Sequence, residues 1–401
     1  MNRISGGVTA PQGFRAAGVD AEIKPGSTKK DCALVVSDVS ATVAGVFTTN
    51  VVKAAPVRWC QEVCRRGTAR AVFINSGNAN ACTGAQGERD VETTAQRVAQ
   101  SLGLEPNEVC VCSTGVIGVP LPMDRITKGV DACAAALSEK GGGDAAAAIL
   151  TTDMRPKEIA IALDLAAGRV CIGGMVKGAG MIAPNMATML CFITTDAKVT
   201  PRVMQDLLRQ AADKSFNRLC VDNDTSTNDS VICLANGRAM AAPLAPNTSD
   251  YAEFARGLEF VCAELAKEVV RDGEGATKFV EIIVEGAASN DAALKIARAI
   301  GQSQLCKTAF FGNDPNWGRI ACAAGYAGVP FEPNALAIWI NDLQIAHGGT
   351  AAAYEEADAA AQMKKSEFTV RVAVGDGPGK TIYWTSDLSY DYVRINADYR
   401  S

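Results

Sequence analysis

The chain has almost no histidine: His347 is the only one among 401 residues. A metal site built from several histidines is therefore excluded, and any Ser–His or Cys–His pair has one candidate base. The segment around His347, residues 345–349, is typical of a loop that precedes an alanine-rich helix, where a histidine is ordinarily a surface or capping residue. We therefore expect a hydrolytic or acyl-transfer enzyme with this sequence to use a base other than imidazole.

Basic surfaces and long apolar runs are also missing. The net charge is -5, acids and bases are interspersed, and aromatic residues, 6% of the chain, do not interleave with Lys/Arg runs. This pattern argues against nucleic acid as a partner. No apolar run reaches the ~18 residues of a membrane span, and the N-terminus lacks the apolar core of a signal peptide. The sequence predicts a cytoplasmic protein without a membrane partner.

Cysteine is plentiful, but its spacing does not suggest a metal site. The 14 cysteines include no C-x-x-C pair; Cys60 and Cys64 are four apart, and Cys110 and Cys112 are two apart. With one histidine to complete a ligand set, zinc is not expected. We interpret the cysteines as reduced, small core residues, and we predict neither a metal nor a cofactor.

Short strand-like runs alternate with helical patterns along the whole chain. Strands are predicted at 34–48 (as a pair), 70–74, 109–112, 159–163, 170–176, 189–193, 279–284, 336–340, 368–374 and 382–385. Helices are predicted at 90–102, 144–150, 252–270, 292–300 and 351–363, with a further helix beginning at Thr200-Pro201. This order favours an α+β sandwich with helices outside and sheets within.

One stretch, residues 177–196, organises the rest. Two glycines, Pro184 and Asn185 separate a strand ending near Lys177 from an apolar run that follows Thr188, so the two cannot be one element. Glycines here can mark a plain hairpin connection without any chemistry. Our interpretation is that the chain is cut between Ala187 and Thr188, which makes Thr188 an N-terminal nucleophile.

The same stretch loosely matches a dinucleotide fingerprint. Gly178-x-Gly180-x-x-Ala183 follows a strand, and Asp196 stands about where a ribose-binding acid would lie. That interpretation needs a helix that opens at the glycines. Pro184 interrupts such a helix within one turn, which argues against a nucleotide site.

An N-terminal threonine nucleophile would not need a histidine as its base. A hydroxyl is a poor nucleophile until a base takes its proton. The α-amine of an N-terminal Thr188, with a pKa near ~8, can serve as that base. Self-cleavage would begin with attack of the Thr188 hydroxyl on the Ala187 carbonyl. Lys177 could bind a substrate carboxylate or lower the pKa of the amine.

Two further segments suit a catalytic pocket. Small amide and hydroxyl residues fill 75–84, which is typical of a backbone-rich pocket wall or of an ordinary Asn/Gly loop. Ser113-Thr114-Gly115 is a turn at a strand end, a geometry that can form an oxyanion hole. Such turns are common, so this signal is weak by itself.

Together these motifs resemble the ornithine acetyltransferase family of arginine biosynthesis. The resemblance covers essentially the whole chain, and the motifs occur in the family's order: Asn75-Ser-Gly-Asn-Ala-Asn-Ala-Cys-Thr-Gly84, Ser113-Thr-Gly115, Lys177-Gly-Ala-Gly-Met-Ile-Ala-Pro-Asn-Met-Ala-Thr188, Asp224-Thr-Ser-Thr-Asn-Asp229 and Asp314-Pro-Asn-Trp-Gly-Arg319. Two positions depart from the family pattern, since Met154 stands where a threonine is usual and Asn223 where a glycine is usual.

The resemblance implies an activity and a set of site residues. Thr188 would take the acetyl group from N-acetylornithine and give it to glutamate, and acetyl-CoA is a possible second donor. Thr114 and Gly115 would form the oxyanion hole. The residues that would contact substrate are Thr152, Lys177, Thr188, Glu274, Asn396 and Ser401. The departure at Met154 leaves open which residue of 151–154 contacts substrate.

The resemblance also implies an organisation. Residues 1–187 would form an α chain and residues 188–401 a β chain, with about 285–395 as a smaller lobe. Two of each would assemble as an α2β2 heterotetramer. The fold would be the αββα-type sandwich shared with self-processing aminopeptidases. A self-processed N-terminal-threonine amidohydrolase or aminopeptidase is the alternative within this fold, and a nucleotide-binding oxidoreductase is the alternative outside it.

Overall fold

The computed structural model describes residues 1–24, 26, 28–183 and 189–398. Two compact units emerge from its contacts. The first comprises Met1–Gly178, Asn185–Asn217 and Asp224–Val269, and the second comprises Ala179–Pro184, Arg218–Asn223 and Val270–Ser401. Three predicted site residues, Ala187, Thr188 and Ser401, lie outside the described residues.

The described strands are, in chain order, β1 (Asn2–Ile4), β2 (Phe14–Val19), β3 (Cys32–Phe47), β4 (Thr68–Asn75), β5 (Val109–Ser113), β6 (Lys157–Leu165), β7 (Gly168–Lys177), β8 (Leu190–Thr195), β9 (Leu219–Cys220), β10 (Ser230–Ala235), β11 (Phe279–Ala287), β12 (Ala337–Ile340), β13 (Leu343–His347), β14 (Thr350–Ala351), β15 (Glu367–Ala373) and β16 (Gly379–Ser386).

The described α-helices are α1 (Ala55–Arg66), α2 (Gly84–Leu102), α3 (Met123–Ala136), α4 (Gly142–Ala148), α5 (Pro201–Asp213), α6 (Ser249–Arg271), α7 (Asn290–Gln302), α8 (Gln304–Phe311), α9 (Trp317–Gly325), α10 (Glu356–Met363) and α11 (Tyr390–Ala397). The α+β class predicted from the sequence is confirmed. No helix of the described ranges is long and apolar enough to cross a membrane.

The first unit is built on a nine-stranded sheet with the order β1-β6-β7-β8-β10-β3-β4-β5, and β2 pairs with β3. The prediction of two strands at 34–48 was wrong, because β3 is one 16-residue strand. Its register against β4 shifts between Val36 and Ala41. A bulge of this kind breaks the alternation of buried and exposed residues and bends the strand, which explains why the pattern looked like two strands.

The core of the first unit follows the alternation along β3 and β4. Leu34 and Phe73 belong to the apolar cluster that includes α2 and α3. Their neighbours Val35 and Val72 belong to a second cluster that also contains Phe192 of β8. Because successive side chains point to opposite faces, the strands on both sides of β3 contribute to this second core, as in a sandwich.

The second unit contains a seven-stranded sheet with the order β14-β13-β12-β15-β11-β16-β9. Val280, Ile282 and Val284 alternate along β11 and are buried with Ile296 and Ile300 of α7. The helical spacing of these α7 residues and the period of two in β11 were both visible in the sequence.

Two local predictions in the second unit need correction. His347 ends the strand β13 and does not lie in a loop. The helix predicted from 351 begins at Glu356, since Thr350–Ala351 forms the hairpin strand β14 opposite His347. Asn396, a predicted substrate contact, lies in helix α11.

The backbone conformation of Asn223 explains why asparagine can stand at a position where glycine is the usual residue of the pattern described above. Its φ is 74°, in the left-handed region that glycine and asparagine tolerate best. The Asn223 Nδ2 donates to the carbonyl of Gln302 at 3.0 Å, so the side chain also fastens the turn that carries it.

Candidate active site

Two groups of strand ends meet within the first unit. The first group is the end of β4 and β5, where Asn75 pairs with Ser113. The second group is the end of β7 and the beginnings of β8 and β10, where Lys177 pairs with Leu190 and Leu190 pairs with Ser230. Strand ends lead into loops, so the ends of five strands converge here. Four of them carry a polar residue, Asn75, Ser113, Lys177 and Ser230.

Asn228, which precedes β10, ties the two groups together. Its buried side chain donates to the carbonyl oxygens of Ala79 at 2.6 Å and Ser113 at 2.8 Å. A primary amide that satisfies two loop carbonyls fixes both loops, because each unsatisfied buried carbonyl would cost about 1–3 kcal/mol. The motif 224–229 is therefore a structural clamp on the turn at Thr114.

Hydrogen bonds to Asn75 hold the turn Ser113-Thr114-Gly115 in place. The Ser113 hydroxyl donates to Asn75 Oδ1 at 2.7 Å, and the Thr114 amide donates to the Asn75 carbonyl at 3.0 Å. The Thr114 N–H is thus used within the turn, so the Thr114 hydroxyl and the Gly115 amide are the groups to consider as oxyanion donors. Gly115 has a φ of 134°, and a Cβ there would lie 2.3 Å from the Gly77 carbonyl carbon.

Lys177 points its ammonium at this turn. The side chain is buried, and its Nζ lies 3.4 Å from the Thr114 hydroxyl oxygen. An ammonium has only donors, so the Thr114 oxygen acts as the acceptor in this contact. Its own hydrogen therefore remains available to donate to a developing oxyanion, and the lysine charge reinforces that donor.

Asp153 holds Lys177 in place. Its Oδ2 lies 3.9 Å from Lys177 Nζ, and its Oδ1 accepts from Lys157 Nζ at 2.6 Å and from the Gly178 amide at 2.6 Å. Burial by itself would raise the pKa of Asp153, but the charges of Lys177 and Lys157 outweigh burial and hold the pKa well below its usual range. Asp153 is therefore a carboxylate that neutralises part of a doubly cationic buried cluster.

A second buried carboxyl lies beside the strand that follows Thr188. Asp229 Oδ1 accepts from the Met189 amide at 2.9 Å. Burial raises the pKa of Asp229 well above its ordinary value, against the opposing effects of the Met189 amide and of Lys177. In the sequence this carboxyl belongs to the last residue of the motif Asp224-Thr-Ser-Thr-Asn-Asp229.

Glu274 and Asn396 lie together in the second unit. Asn396 Nδ2 donates to Glu274 Oε2 at 2.8 Å, and Glu274 is 8% exposed. The Glu274 amide donates to the Ala179 carbonyl at 2.8 Å, and a Cβ on Gly180 would lie 2.3 Å from the Glu274 carboxyl carbon. The segment at 179–180 therefore packs directly on the carboxylate, which only a glycine at 180 permits.

The remaining predicted site residues are placed as follows. Thr152 lies half-buried in the turn between α4 and β6, where the Thr151 amide donates to Asp153 at 3.0 Å. Met154, in the same turn, is 86% exposed. Sequence reasoning did not identify Asp153 or Asn228 as individual site residues; their signal is polarity next to a predicted strand, which does not distinguish a buried polar residue from a surface turn.

The dinucleotide alternative finds no support in the described part of the 177–196 stretch. Residues 178–183 contain no helix that could present its N–H groups to a phosphate. Asp196 is buried and already accepts from the amides of Gln12 at 3.0 Å and Cys171 at 2.7 Å. Both carboxylate oxygens thus bind backbone amides of the protein itself and are not directed at a ribose.

Comparison with known proteins adds an independent line of evidence. A model of the ArgJ family matches residues 15–401. The "Arginine biosynthesis bifunctional protein ArgJ" of Symbiobacterium thermophilum is 50% identical over 402 residues and covers 100% of both chains. The protein of that name from Thermosynechococcus vestitus is 48% identical and covers 99% of this chain and 98% of the relative.

A solved structure from another organism is similar in both sequence and fold. The crystal structure of the arginine biosynthesis bifunctional protein argJ from Bacillus halodurans is 40% identical, with a TM-score of 0.50. The match covers 51% of this chain and 96% of that chain. The solved chain is therefore about half as long as the present one.

Proposed function

The chain belongs to the ArgJ family, acyltransferases of arginine biosynthesis, and from this premise we propose that it moves the acetyl group of N2-acetyl-L-ornithine to L-glutamate through acetyl-Thr188. The observation that supports this most directly is the contact of Lys177 with the Thr114 hydroxyl. It creates a polarised donor beside the strand that begins two residues after Thr188.

Self-cleavage comes first in this proposal. The Thr188 oxygen attacks the Ala187 carbonyl carbon, the C–N bond breaks, and water hydrolyses the resulting ester. The α chain 1–187 and the β chain 188–401 remain associated. A solved chain of about half the present length in a 40% identical relative is what such a cut would produce.

The transfer cycle then uses the new α-amine of Thr188 as its base. The amine takes the hydroxyl proton as the oxygen attacks the acetyl carbonyl, and it returns that proton to the departing α-nitrogen of ornithine. The α-amine of glutamate next attacks the acetyl ester. N-acetylglutamate leaves, and the Thr188 oxygen regains a proton. The cycle consumes no acetyl-CoA.

Thr114 and Gly115 are the proposed oxyanion donors. In both half-reactions the carbonyl oxygen of the acetyl group becomes an alkoxide, which the Thr114 hydroxyl and the Gly115 amide would stabilise. One such donor is worth roughly 10²–10³ in kcat. Lys177 would add its charge to this stabilisation, and a cation near the Thr188 amine would also lower the pKa of that amine.

Glu274 is the proposed partner of the ornithine δ-ammonium, with Asn396 orienting its carboxylate. A buried carboxylate binds an ammonium tightly because the low dielectric strengthens the charge pair. Thr152 and Ser401 remain proposed substrate contacts on the resemblance alone.

The word "bifunctional" in the relatives' names supports a second proposal, that acetyl-CoA also acylates Thr188 for transfer to glutamate. We further propose an α2β2 assembly, which light scattering on the purified protein would measure.

The test is an acetyl-transfer assay with N-acetylornithine and glutamate, run beside an assay for free acetate. We expect ping-pong kinetics, an inactive and uncut Thr188→Ala variant, and a cut and active Thr200→Ala control. Thr200 is an exposed threonine whose side chain makes no capping bond. Release of acetate without transfer to glutamate would instead identify an amidohydrolase.

A further inference from the structure

Asp229 accepts a hydrogen bond from Met189, the residue that follows the proposed nucleophile Thr188. The side chain is fully buried at the beginning of β10, and its Oδ1 accepts from the Met189 amide at 2.9 Å. Met189 N is the atom to which the Thr188 carbonyl carbon is covalently bonded. The Asp229 carboxyl is therefore anchored to the residue that directly follows Thr188 in the chain.

The second carboxyl oxygen of Asp229, Oδ2, is buried, and no group in the part of the chain that the structure describes donates a hydrogen bond to it. A buried polar atom without a partner costs about 1–3 kcal/mol. A buried carboxyl oxygen that is free of protein hydrogen bonds in the described residues can accept a proton, and the bond of Oδ1 to Met189 holds the carboxyl in place.

Few charged groups act on Asp229. On the β7 side, Lys177 acts on the carboxyl through its charge, and Asp153 forms ion pairs with both Lys177 and Lys157. On the β8 side, the carboxyl meets the Met189 amide. On the β3 side, the Thr48 amide donates to the Asp229 backbone carbonyl at 3.0 Å. Burial dominates, so the carboxyl is a much stronger base than an exposed aspartate.

The uncut chain needs such a base. Before cleavage the Thr188 nitrogen is part of a peptide bond, and an amide nitrogen cannot accept the hydroxyl proton. The α-amine that serves the transfer cycle therefore does not yet exist when the first attack occurs. The single imidazole, His347, is exposed at the end of β13, where it meets Gln344 at 3.4 Å.

We propose that the Asp229 carboxylate, anchored through Oδ1 to the Met189 amide and unpartnered at Oδ2 among the described residues, is the general base of self-cleavage at Thr188. This inference rests on the proposed function and adds a base that acts before the α-amine exists.

In this step the proton removed from the Thr188 hydroxyl is returned to the Thr188 nitrogen, as follows. Oδ2 takes the Thr188 hydroxyl proton as the oxygen bonds to the Ala187 carbonyl carbon. The C–N bond breaks, and the same proton passes to the Thr188 nitrogen, which becomes an amine while the carboxylate is restored. Water then adds to the ester, leaving a carboxyl on Ala187 and a hydroxyl on Thr188.

The test compares full-length variants made by cell-free synthesis, with the cut chain followed over time by mass spectrometry. Asp229→Asn retains an oxygen that can accept from Met189 but is not a base, and Asp229→Ala removes both features. Asp222→Asn is the matched control, because Asp222 also binds two backbone amides, those of Met181 and Ile182, each at 2.6 Å.

We expect Asp229→Asn to fold, with a thermal midpoint close to that of the parent, and to cleave roughly 100-fold more slowly or worse. The parent cleavage rate should rise with pH, since only the carboxylate accepts a proton, and Asp229→Asn should lose this rise. Asp222→Asn should cleave normally. Added formate should partly restore cleavage of Asp229→Ala by supplying a small carboxylate.

Two results would overturn the proposal. One is cleavage of Asp229→Asn at the parent rate while Asp229→Ala is slow, which would leave Asp229 a positioning role only. The other is slow cleavage of both variants with an unchanged pH profile and no rescue by formate. If the parent chain itself stays uncut, the proposed function fails; if the parent is cut and only the Asp229 predictions fail, the proposed function stands without this base.

Discussion

Lys157 Nζ lies 2.6 Å from Asp153 Oδ1, and both side chains are fully buried. This pair matters because Asp153 also faces Lys177, which points at the Thr114 turn. The carboxylate therefore connects a structural lysine to the lysine of the candidate site. Removal of one partner from a buried ion pair is strongly destabilising, because the other charge is left buried without compensation.

The first prediction concerns Asp153→Asn. The substitution leaves two buried ammonium groups without their carboxylate, and we expect it to reduce the free energy of unfolding by about 3–5 kcal/mol. Urea unfolding at neutral pH measures the change. The matched control is Asp164→Asn, whose carboxylate pairs with Arg169 at 4.0 Å with both side chains well exposed; that change should stay within about 0.5 kcal/mol. Equal losses in the two variants would contradict the prediction.

The second prediction is the pH dependence of this difference. The folded-state pKa of Asp153 is depressed, so its stabilising contribution is present above the unfolded value of ~3.9 and is lost as the pH falls below that value. The gap in unfolding free energy between the parent and Asp153→Asn should therefore be constant from pH 7 to pH 5 and shrink below pH ~4. A gap that widened on acidification would show that Asp153 is not held as a carboxylate.

The sequence predicted the strands and helices of the site region better than it predicted the site's interior. The hairpin of β6 and β7 and the strand before Thr114 follow from apolar periodicity and turn residues. Asp153 and Asp229 could not be recognised as buried, because an aspartate next to a strand is usually a turn residue. Their burial is decided by long-range packing of β7, β8 and β10, which no local pattern encodes.

The acids of the segment 222–229 show the same limit. Asp222 and Asp229 accept hydrogen bonds from backbone amides at 2.6–2.9 Å, a role that the sequence of this acid-rich segment does not reveal. Asn396 illustrates the opposite case, since only the family resemblance pointed to a residue so near the chain end. Its bond to Glu274 depends on helix α11, which was not predicted.

The third prediction tests the Thr114 turn through Gly115→Ala. A Cβ at 115 would lie 2.3 Å from the Gly77 backbone, which cannot yield as a flexible side chain would, and φ is 134°. We expect a large loss of transfer activity together with about 1–3 kcal/mol of stability. Gly118→Ala is the control, since its φ is 81° but no atom lies within 4 Å. It should lose only about 1 kcal/mol and keep its activity; equal activity losses would count against a special role for the turn.

The fourth prediction tests Glu274 through Gly180→Ala. The new methyl group would displace the Glu274 carboxylate, 2.3 Å from the ideal Cβ position, and weaken its bond to Asn396. We expect KM for N-acetylornithine to rise at least tenfold, while KM for acetyl-CoA changes little because that donor has no ammonium at the same position. Gly143→Ala, in open space on α4, should leave both constants unchanged. A fall in kcat with unchanged KM would contradict a substrate-binding role.

The central claim is that Thr188 is both the new N-terminus and the acetyl carrier. The direct measurement is mass spectrometry of the denatured protein after exposure to N-acetylornithine without glutamate and an acid quench. We expect two fragments, 1–187 and 188–401, with one acetyl group on the second fragment at its first residue, Thr188, and loss of that group when glutamate is added. An intact 41.8 kDa chain with full transfer activity, or an acetyl group on any other residue, would contradict the account.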